Sequence, residues 1–308
     1  MLHQVVEIFE ESRYLSLTRG FMSVKARDEL VAQVPLDDIA VVLLSAHSIT
    51  FSKPLLAALA DQGSIVVICG KNYAPSAMQL PVYGNYQQAA VIKSQIDAST
   101  PFKKNVWKRI VEEKISNQAK VLHETGKKVE ATKLLHISGT VRSGDPDNRE
   151  AYAARLYWKN LFGQDFTRDK DGDGINGLLN YGYAVVRASM IRSLCCSGLL
   201  PALGLYHDNK LNAFCLADDL FEPFRPIVDS IVHTLVSNEI EEVTPDAKKA
   251  LIDVLWIKMK TTEGYSPLFQ ALQYYANSLV KCLKSKKPEI QIPVWEGQYE
   301  SVSRDEQV

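Results

Sequence analysis

Up to about residue 85, apolar positions come in short runs rich in β-branched residues and separated by polar turns. They are Val5-Val6-Glu7-Ile8, Tyr14-Leu15-Ser16-Leu17, Phe21-Met22-Ser23-Val24, Ile39-Ala40-Val41-Val42-Leu43-Leu44 and Ser64-Ile65-Val66-Val67-Ile68. Runs this short and of this composition predict strands. Between the last two, Ser52, Pro54 and Gly63 punctuate the apolar stretch Leu55-Leu56-Ala57-Ala58-Leu59 as one short helix. Past Gly84 the texture changes to long amphipathic stretches with few breakers, at 86–98, 102–122, 127–135, 149–162, 178–197, 216–237, 244–261 and 266–284. Their spacing predicts helices. Pro288 and the polar ending after Trp295 predict a poorly packed tail. The expected fold class is α+β: a small N-terminal β-rich domain over 1–85, then a larger all-α C-terminal domain over 86–288, then a tail over 289–308. No internal repeat is present.

Composition narrows the class without naming an activity. Apolar residues at 46% and charged residues at 23% belong to a chain that can bury a core, which excludes collagenous and low-complexity classes. Lys and Arg number 35 against 36 Asp and Glu, so no bulk charge attracts a polyanion and any nucleic-acid surface must come from local clustering. No apolar run approaches the ~20 residues that cross a bilayer, and the acidic residues in the opening segment do not fit a secretory signal. The expectation is a cytoplasmic protein that does not insert in membranes. The five cysteines form no CxxC pair, which suits reduced thiols better than a disulfide frame or a thiolate zinc site.

Charge does cluster locally. Residues 101–143 hold ten basic side chains, Lys103, Lys104, Lys108, Arg109, Lys114, Lys120, Lys127, Lys128, Lys133 and Arg142, against four glutamates. Such a stretch is either the solvated face of lysine-rich helices or a surface that tracks phosphates. A second motif resembles half a calcium loop. Asp169, Asp171 and Asp173 stand at positions 1, 3 and 5 and Gly174 at position 6, but position 12, which should be a bidentate glutamate, is Asn180. A solvated acidic turn is the better reading.

Glu150, His207, Asp219 and Glu222 are the candidate chemical residues. Each has an ordinary explanation. Glu150 suits the first turn of a helix, Asp219 and Glu222 have the spacing of a capping box, and a lone histidine is commonly a hydrogen-bonded loop residue. As a set, two or three carboxylates and an imidazole are donors for a hard or borderline divalent ion.

The letters around these residues carry a resemblance. Gly204-x-x-His207, Asn212-x-Phe214-x-Leu216 and Asp219-Leu-x-Glu222-Pro-Phe-Arg225-Pro-x-x-Asp229, preceded by Asn176-x-x-Leu-Asn180-Tyr-Gly-Tyr-Ala184, resemble the CRISPR adaptation integrase, the endonuclease family that inserts new spacers. Glu150-x-x-x-Ala-Arg155-x-Tyr157 falls where that family has its first metal ligand. The match spans the helical half, and Ser48-Ile49-Thr50, Leu55-Leu56, Cys69, Pro75 and the length look most like the version in type II systems.

The resemblance implies Glu150, His207 and Glu222 as catalytic residues and metal ligands. It implies Asp219 as a neighbouring acid that orients a ligand or is itself the closer one. Asn180, Tyr181 and Arg225 match positions near the same cleft, and Lys103, Lys104, Lys108 and Arg109 are the head of the expected phosphate-tracking stripe. The implied cofactor is Mg²⁺ or Mn²⁺, tilted toward Mn²⁺ by the imidazole. The implied activity is metal-dependent cleavage and strand transfer, the 3′-OH ends of spacer-precursor DNA being joined to the repeat by transesterification. The alternative is a catalytically inactive DNA-bridging scaffold of the same complex. Implied partners are double-stranded and branched DNA, a second copy joined through the β domain, a small ferredoxin-like adaptation protein forming a heterohexamer, and the type II RNA-guided effector nuclease.

Overall fold

The computed structural model describes residues 4–70, 75–81 and 85–297. Gly84, where the sequence pattern changes, and residues 298–308 of the expected tail lie outside the described residues. The chain divides into two compact units, Met1–Tyr86 and Gln87–Val308.

The first unit holds β1 (Gln4–Ile8), β2 (Arg13–Thr18), β3 (Phe21–Ala26), β4 (Glu29–Pro35), β5 (Ile39–Leu44), β6 (Ile49–Phe51), α1 (Lys53–Asp61), β7 (Ile65–Cys69) and β8 (Pro75–Gln79). They form two four-stranded sheets, ordered β4-β3-β2-β6 and β1-β5-β7-β8. In the second sheet β5 is parallel to both β1 and β7, which is why all six of its residues are buried and why its sequence is an unbroken apolar run. Helix α1 returns the chain between β5 and β7, and its Leu55 and Leu59 join Leu15, Met22, Val42 and Val66 of the strands in one apolar cluster. Strands β4, β6 and β8 were not foreseen from the sequence. In β4, Leu30 and Val31 are exposed and its hydrophobic alternation is weak.

The second unit contains α2 (Gln88–Ile96), α3 (Thr100–Glu124), α4 (Lys128–Gly139), α5 (Arg149–Leu161), α6 (Ile175–Cys196), α7 (Cys215–Phe221), α8 (Arg225–Ser237), α9 (Pro245–Ile252), β9 (Lys258–Thr261), β10 (Gly264–Pro267) and α10 (Leu268–Ser285). Helix α6 is the centre: nearly every residue from Gly177 to Cys195 is buried, and α7, α8, α9 and α10 all pack on it. Helix α3, capped by the Ser99 side chain, packs on α4, α5 and α8. Buried Asp229 of α8 accepts hydrogen bonds from Tyr157 of α5, at 3.0 Å, and Tyr183 of α6, so one carboxylate ties three helices. Burial pushes that carboxyl up to about 7 against the tyrosine hydrogen bonds and nearby arginines.

Residues 216–237 are not one helix, because Pro223 and Pro226 each lack the N–H that an α-helix needs. The chain tightens into a 3-10 turn, Glu222–Phe224, between α7 and α8. Residues 244–261 are not one helix either: α9 stops at Ile252 and, after a 3-10 turn, the chain becomes β9. Gly264, at φ +108, makes the turn to β10, so the helical unit is not all-α. The start of the expected tail is packed, with Ile290 and Trp295 buried and Val294 exchanging two 2.9 Å backbone hydrogen bonds with Lys260. Among the described residues no helix is long and apolar enough to cross a membrane.

Candidate functional site

Helix α5 begins unusually. Asn148 precedes it in the left-handed region (φ 51) and makes no side-chain cap. The carboxylate of buried Asp145 instead accepts from the Arg149 N–H at 2.9 Å and the Glu150 N–H at 3.0 Å. Two of the helix's orphan donors are thereby satisfied, which fixes Glu150 in the first turn, where the helix dipole favours its charge.

His207 lies in the segment joining α6 to α7. Asp219 of α7, completely buried, accepts from the N–H groups of Leu205 (2.6 Å), Tyr206 (2.9 Å) and His207 (3.2 Å). Its Oδ1 also lies 2.6 Å from His207 Nδ1. Because a carboxylate only accepts, Nδ1 carries the proton and Nε2 is left with the lone pair. Gly204 closes the turn so tightly that an added Cβ would lie 2.2 Å from the His207 carbonyl oxygen. Trp107 of α3, fully buried, stacks on Tyr206 at 4.4 Å between ring centroids and meets the His207 ring edge-on. The Asp219 hydrogen bond holds the His207 imidazole above its usual pKa; burial opposes it, and Asp219, Glu222 and Glu150 add charge attraction.

Glu222 opens the 3-10 turn that the two prolines enforce, and Asn117 of α3 donates to the Pro223 carbonyl at 2.9 Å, seating that turn on α3. Glu222 Oε1 accepts from Arg225 Nε at 2.8 Å. Glu222 Oε2 lies 2.5 Å from Lys114 Nζ, without an aligned hydrogen bond. The same Nζ lies 2.6 Å from Glu150 Oε1. Burial alone would raise the Glu222 carboxyl, but Arg225 and Lys114 outweigh it and hold it below the usual carboxylate range. Burial likewise works against the Lys114 charge, and Glu222 and Glu150 overcome it.

The structure therefore brings Glu150 and Glu222 together on one cation, with the His207 imidazole within electrostatic reach of both. Among the described residues no three His, Cys, Asp or Glu side chains are already close enough together to hold an ion. Asp219 is committed to the His207 segment, and it sits inside α7 rather than at a helix cap. Arg225 is at the site, with its guanidinium over the rings of Tyr183 and Phe221. Asn180 instead closes the acidic turn, donating to the Lys170 carbonyl at 3.0 Å and accepting from Arg168 at 2.5 Å. Tyr181 packs against Lys248 of α9. Lys103 and Lys108 are partly exposed and Lys104 and Arg109 exposed along α3. Lys108 and Arg109 line a cleft of about 910 Å³ together with Glu112, Glu113 and Glu289.

Sequence reading missed Lys114, Trp107, Asp145 and Tyr206. Lys114 was counted in the basic stripe, yet its place in the series Trp107, Ile110, Val111, Lys114, Gln118, Val121 puts it on the buried face of α3. That was the available signal.

Comparison with known proteins adds three findings. Residues 6–252 match the family model described as CRISPR associated protein Cas1. Over 295 residues the chain is 39% identical to the CRISPR-associated endonuclease Cas1 of Neisseria meningitidis serogroup C (strain 8013), covering 91% of this chain and 96% of that one. In fold it is similar to a casposase bound to integration product, with a TM-score of 0.81, 18% identity and coverage of 97% and 96% of the two chains. It is also similar to a chain of a Cas6-RT-Cas1–Cas2 complex, with a TM-score of 0.74, 17% identity, and coverage of 96% of this chain and 36% of the other.

Proposed function

The chain belongs to the Cas1 family of CRISPR-associated proteins, and from that premise we propose that it is a divalent-metal-dependent DNA endonuclease and integrase of CRISPR adaptation. In this reading it joins the 3′-OH ends of spacer-precursor DNA to the CRISPR repeat. The observation that carries the reading is the meeting of Glu150 and Glu222, from separate elements, on a single positive charge beside an imidazole whose Nδ1 is already committed.

The donor set fits Mg²⁺ or Mn²⁺. Oxygens of Glu150 and Glu222 both lie within 2.6 Å of one cationic nitrogen, so the pair would suit a divalent ion that prefers oxygen donors. Glu222 Oε2 is buried with no aligned hydrogen bond, and His207 Nε2 supplies the nitrogen donor that favours Mn²⁺. Glu150, His207 and Glu222 would hold the ion. When bound, it supplies Lewis acidity against the negative charge that builds on a phosphate during strand transfer.

The residues of the chain do the rest. Asp219 fixes the imidazole tautomer and the backbone that leads into it. Arg225 keeps Glu222 ionised and aimed. In the transfer the 3′-hydroxyl of the precursor forms a new P–O bond while the repeat's own P–O bond breaks. The proton lost by the first oxygen balances the one gained by the second, so no nucleotide is consumed.

In the full reading, the protein works in the cytoplasm on double-stranded and branched DNA. Two copies pair through the β-rich unit, whose β4 edge exposes Leu30 and Val31. A small ferredoxin-like Cas2-type protein bridges two such dimers into a heterohexamer, and a type II effector nuclease selects the spacers. Likeness to a chain of a Cas1–Cas2 assembly supports the Cas2-type partner.

The test is strand joining and branch resolution by purified protein in Mn²⁺ and in EDTA, with His207→Ala and Glu222→Ala alongside. Product in Mn²⁺ that vanishes in EDTA and in both variants is expected. One observation favours the scaffold alternative, namely that no three-ligand cluster is preformed among the described residues. Wild-type protein that binds the branch yet gives no product in any divalent ion, even with the small partner added, would establish that alternative.

A further inference from the structure

Lys114 occupies the place between the two carboxylates that the proposed ion requires. Its ammonium lies 2.6 Å from Glu150 Oε1 and 2.5 Å from Glu222 Oε2, and the residue is only 8% exposed. Its position is built into the fold. Trp107, two turns earlier on α3, carries the stack against Tyr206, and Asn117, one turn later, holds the 3-10 turn of Glu222. Arg225 takes the other oxygen of Glu222. Two carboxylates, one ammonium and one guanidinium make a formally neutral group, so two acids that would repel one another stay assembled without any ion.

That arrangement cannot persist once an ion binds. A divalent cation on Glu150 and Glu222 would sit within a few ångströms of the Lys114 ammonium, in a buried site where like charges are poorly screened. The geometry points to Lys114 as an exchangeable counter-cation: a positioning residue that holds Glu150 and Glu222 together in the empty site and is displaced when the divalent ion loads. Lysine suits this role better than arginine. Its charge is compact and carried on a flexible four-carbon stem, so it can leave both oxygens by rotating, whereas Arg225 is fixed by its Nε hydrogen bond and by the rings of Tyr183 and Phe221. The inference rests on the metal-dependent reading above and adds a competitor to it.

The competition is measurable without activity. Mn²⁺ binding is followed by titration calorimetry, and thermal melting is recorded in EDTA and in saturating Mn²⁺, for the full chain, Lys114→Met and Lys114→Met/Glu222→Gln. Lys114→Met should bind Mn²⁺ about tenfold more tightly or better. It should melt several degrees lower than wild type in EDTA and recover most of that loss in Mn²⁺, and adding Glu222→Gln should abolish the tight binding. A lysine with a merely structural role would lower melting equally in both conditions. Mn²⁺ affinity unchanged or weakened in Lys114→Met, with no recovery on loading, overturns the exchange while leaving the metal site standing. Absence of Mn²⁺ binding in both wild type and Lys114→Met overturns the metal site and the exchange together.

Discussion

Asp219 spends its full accepting capacity on three backbone N–H groups and one imidazole N–H, all belonging to the segment that carries His207. Replacement by asparagine keeps the shape but turns one of the two acceptor oxygens into a donor facing donors. Each buried group left unsatisfied costs about 1–3 kcal/mol. Asp219→Asn is therefore expected to lower stability by that order in urea unfolding and Mn²⁺ affinity by about 10–100-fold, as removal of a group that orients a ligand does. Unchanged affinity would show that the tautomer is set elsewhere. At this scale the letters single out Asp219 and Glu222 as candidates and do not say how they share the work. Asp219 and Glu222 stand three apart in one acidic motif, and only the fold shows one spent on the backbone and the other left facing Lys114. The spacing of α3 marks Lys114 as facing inward, but nothing local names the partners, 36 and 108 positions away, that it meets there.

Elements behave as their local rules dictate until a neighbour intervenes. The 3-10 turn that offers Glu222 is a local consequence of Pro223 and Pro226, readable from those two residues. The end of α9 is less local, since Lys258–Thr261 takes strand form by pairing with β10 and with Val294. Close helix packing leaves its own mark at Gly182 of α6. A Cβ there would lie 2.5 Å from Val228 Cγ1 of α8 and 3.0 Å from Leu251 Cδ2 of α9. Alanine would gain about 1 kcal/mol in helix propensity. Overpacking a filled core costs about 1–3 kcal/mol, and Val228 is fully buried and stiff. Gly182→Ala should thus be destabilised by up to about 2 kcal/mol in urea, and a midpoint raised by the full propensity gain would mean that α8 can shift outward at no cost.

For the whole molecule, charge decides how the proposed DNA ligand would be held. With a formal net charge of −1, affinity must come from where the cations stand. Of the ten basic residues in 101–143, Lys114 is buried on two glutamates, and Lys120 is bound to Asn117 and the Trp295 carbonyl. Lys108 and Arg109 lie 3.5 and 3.9 Å from Glu112. Among the described residues no carboxylate lies within 4 Å of the Lys103 or Lys104 ammonium, unlike the charged groups of Lys108 and Arg109. Replacing Lys103 and Lys104 together by glutamine should flatten the log K against log salt slope for branched DNA by up to about 2. The same change at Lys108 and Arg109 should do less, and equal effects would count against a partition set by Glu112. The sequence by itself determined the order of a β-rich and a helical half, the buried strands, most helices, and the candidacy of Glu150, His207, Asp219 and Glu222. These follow from local periodicity, from punctuation and from residue types that carry chemistry wherever they stand. Tertiary structure alone decided the three strands with weak patterns, the β9–β10 hairpin, the packing of residues 290–295, and the meeting of Glu150 with Glu222 on Lys114. Those features depend on pairings across long stretches of chain, and the energy of such a pairing is written in neither partner separately.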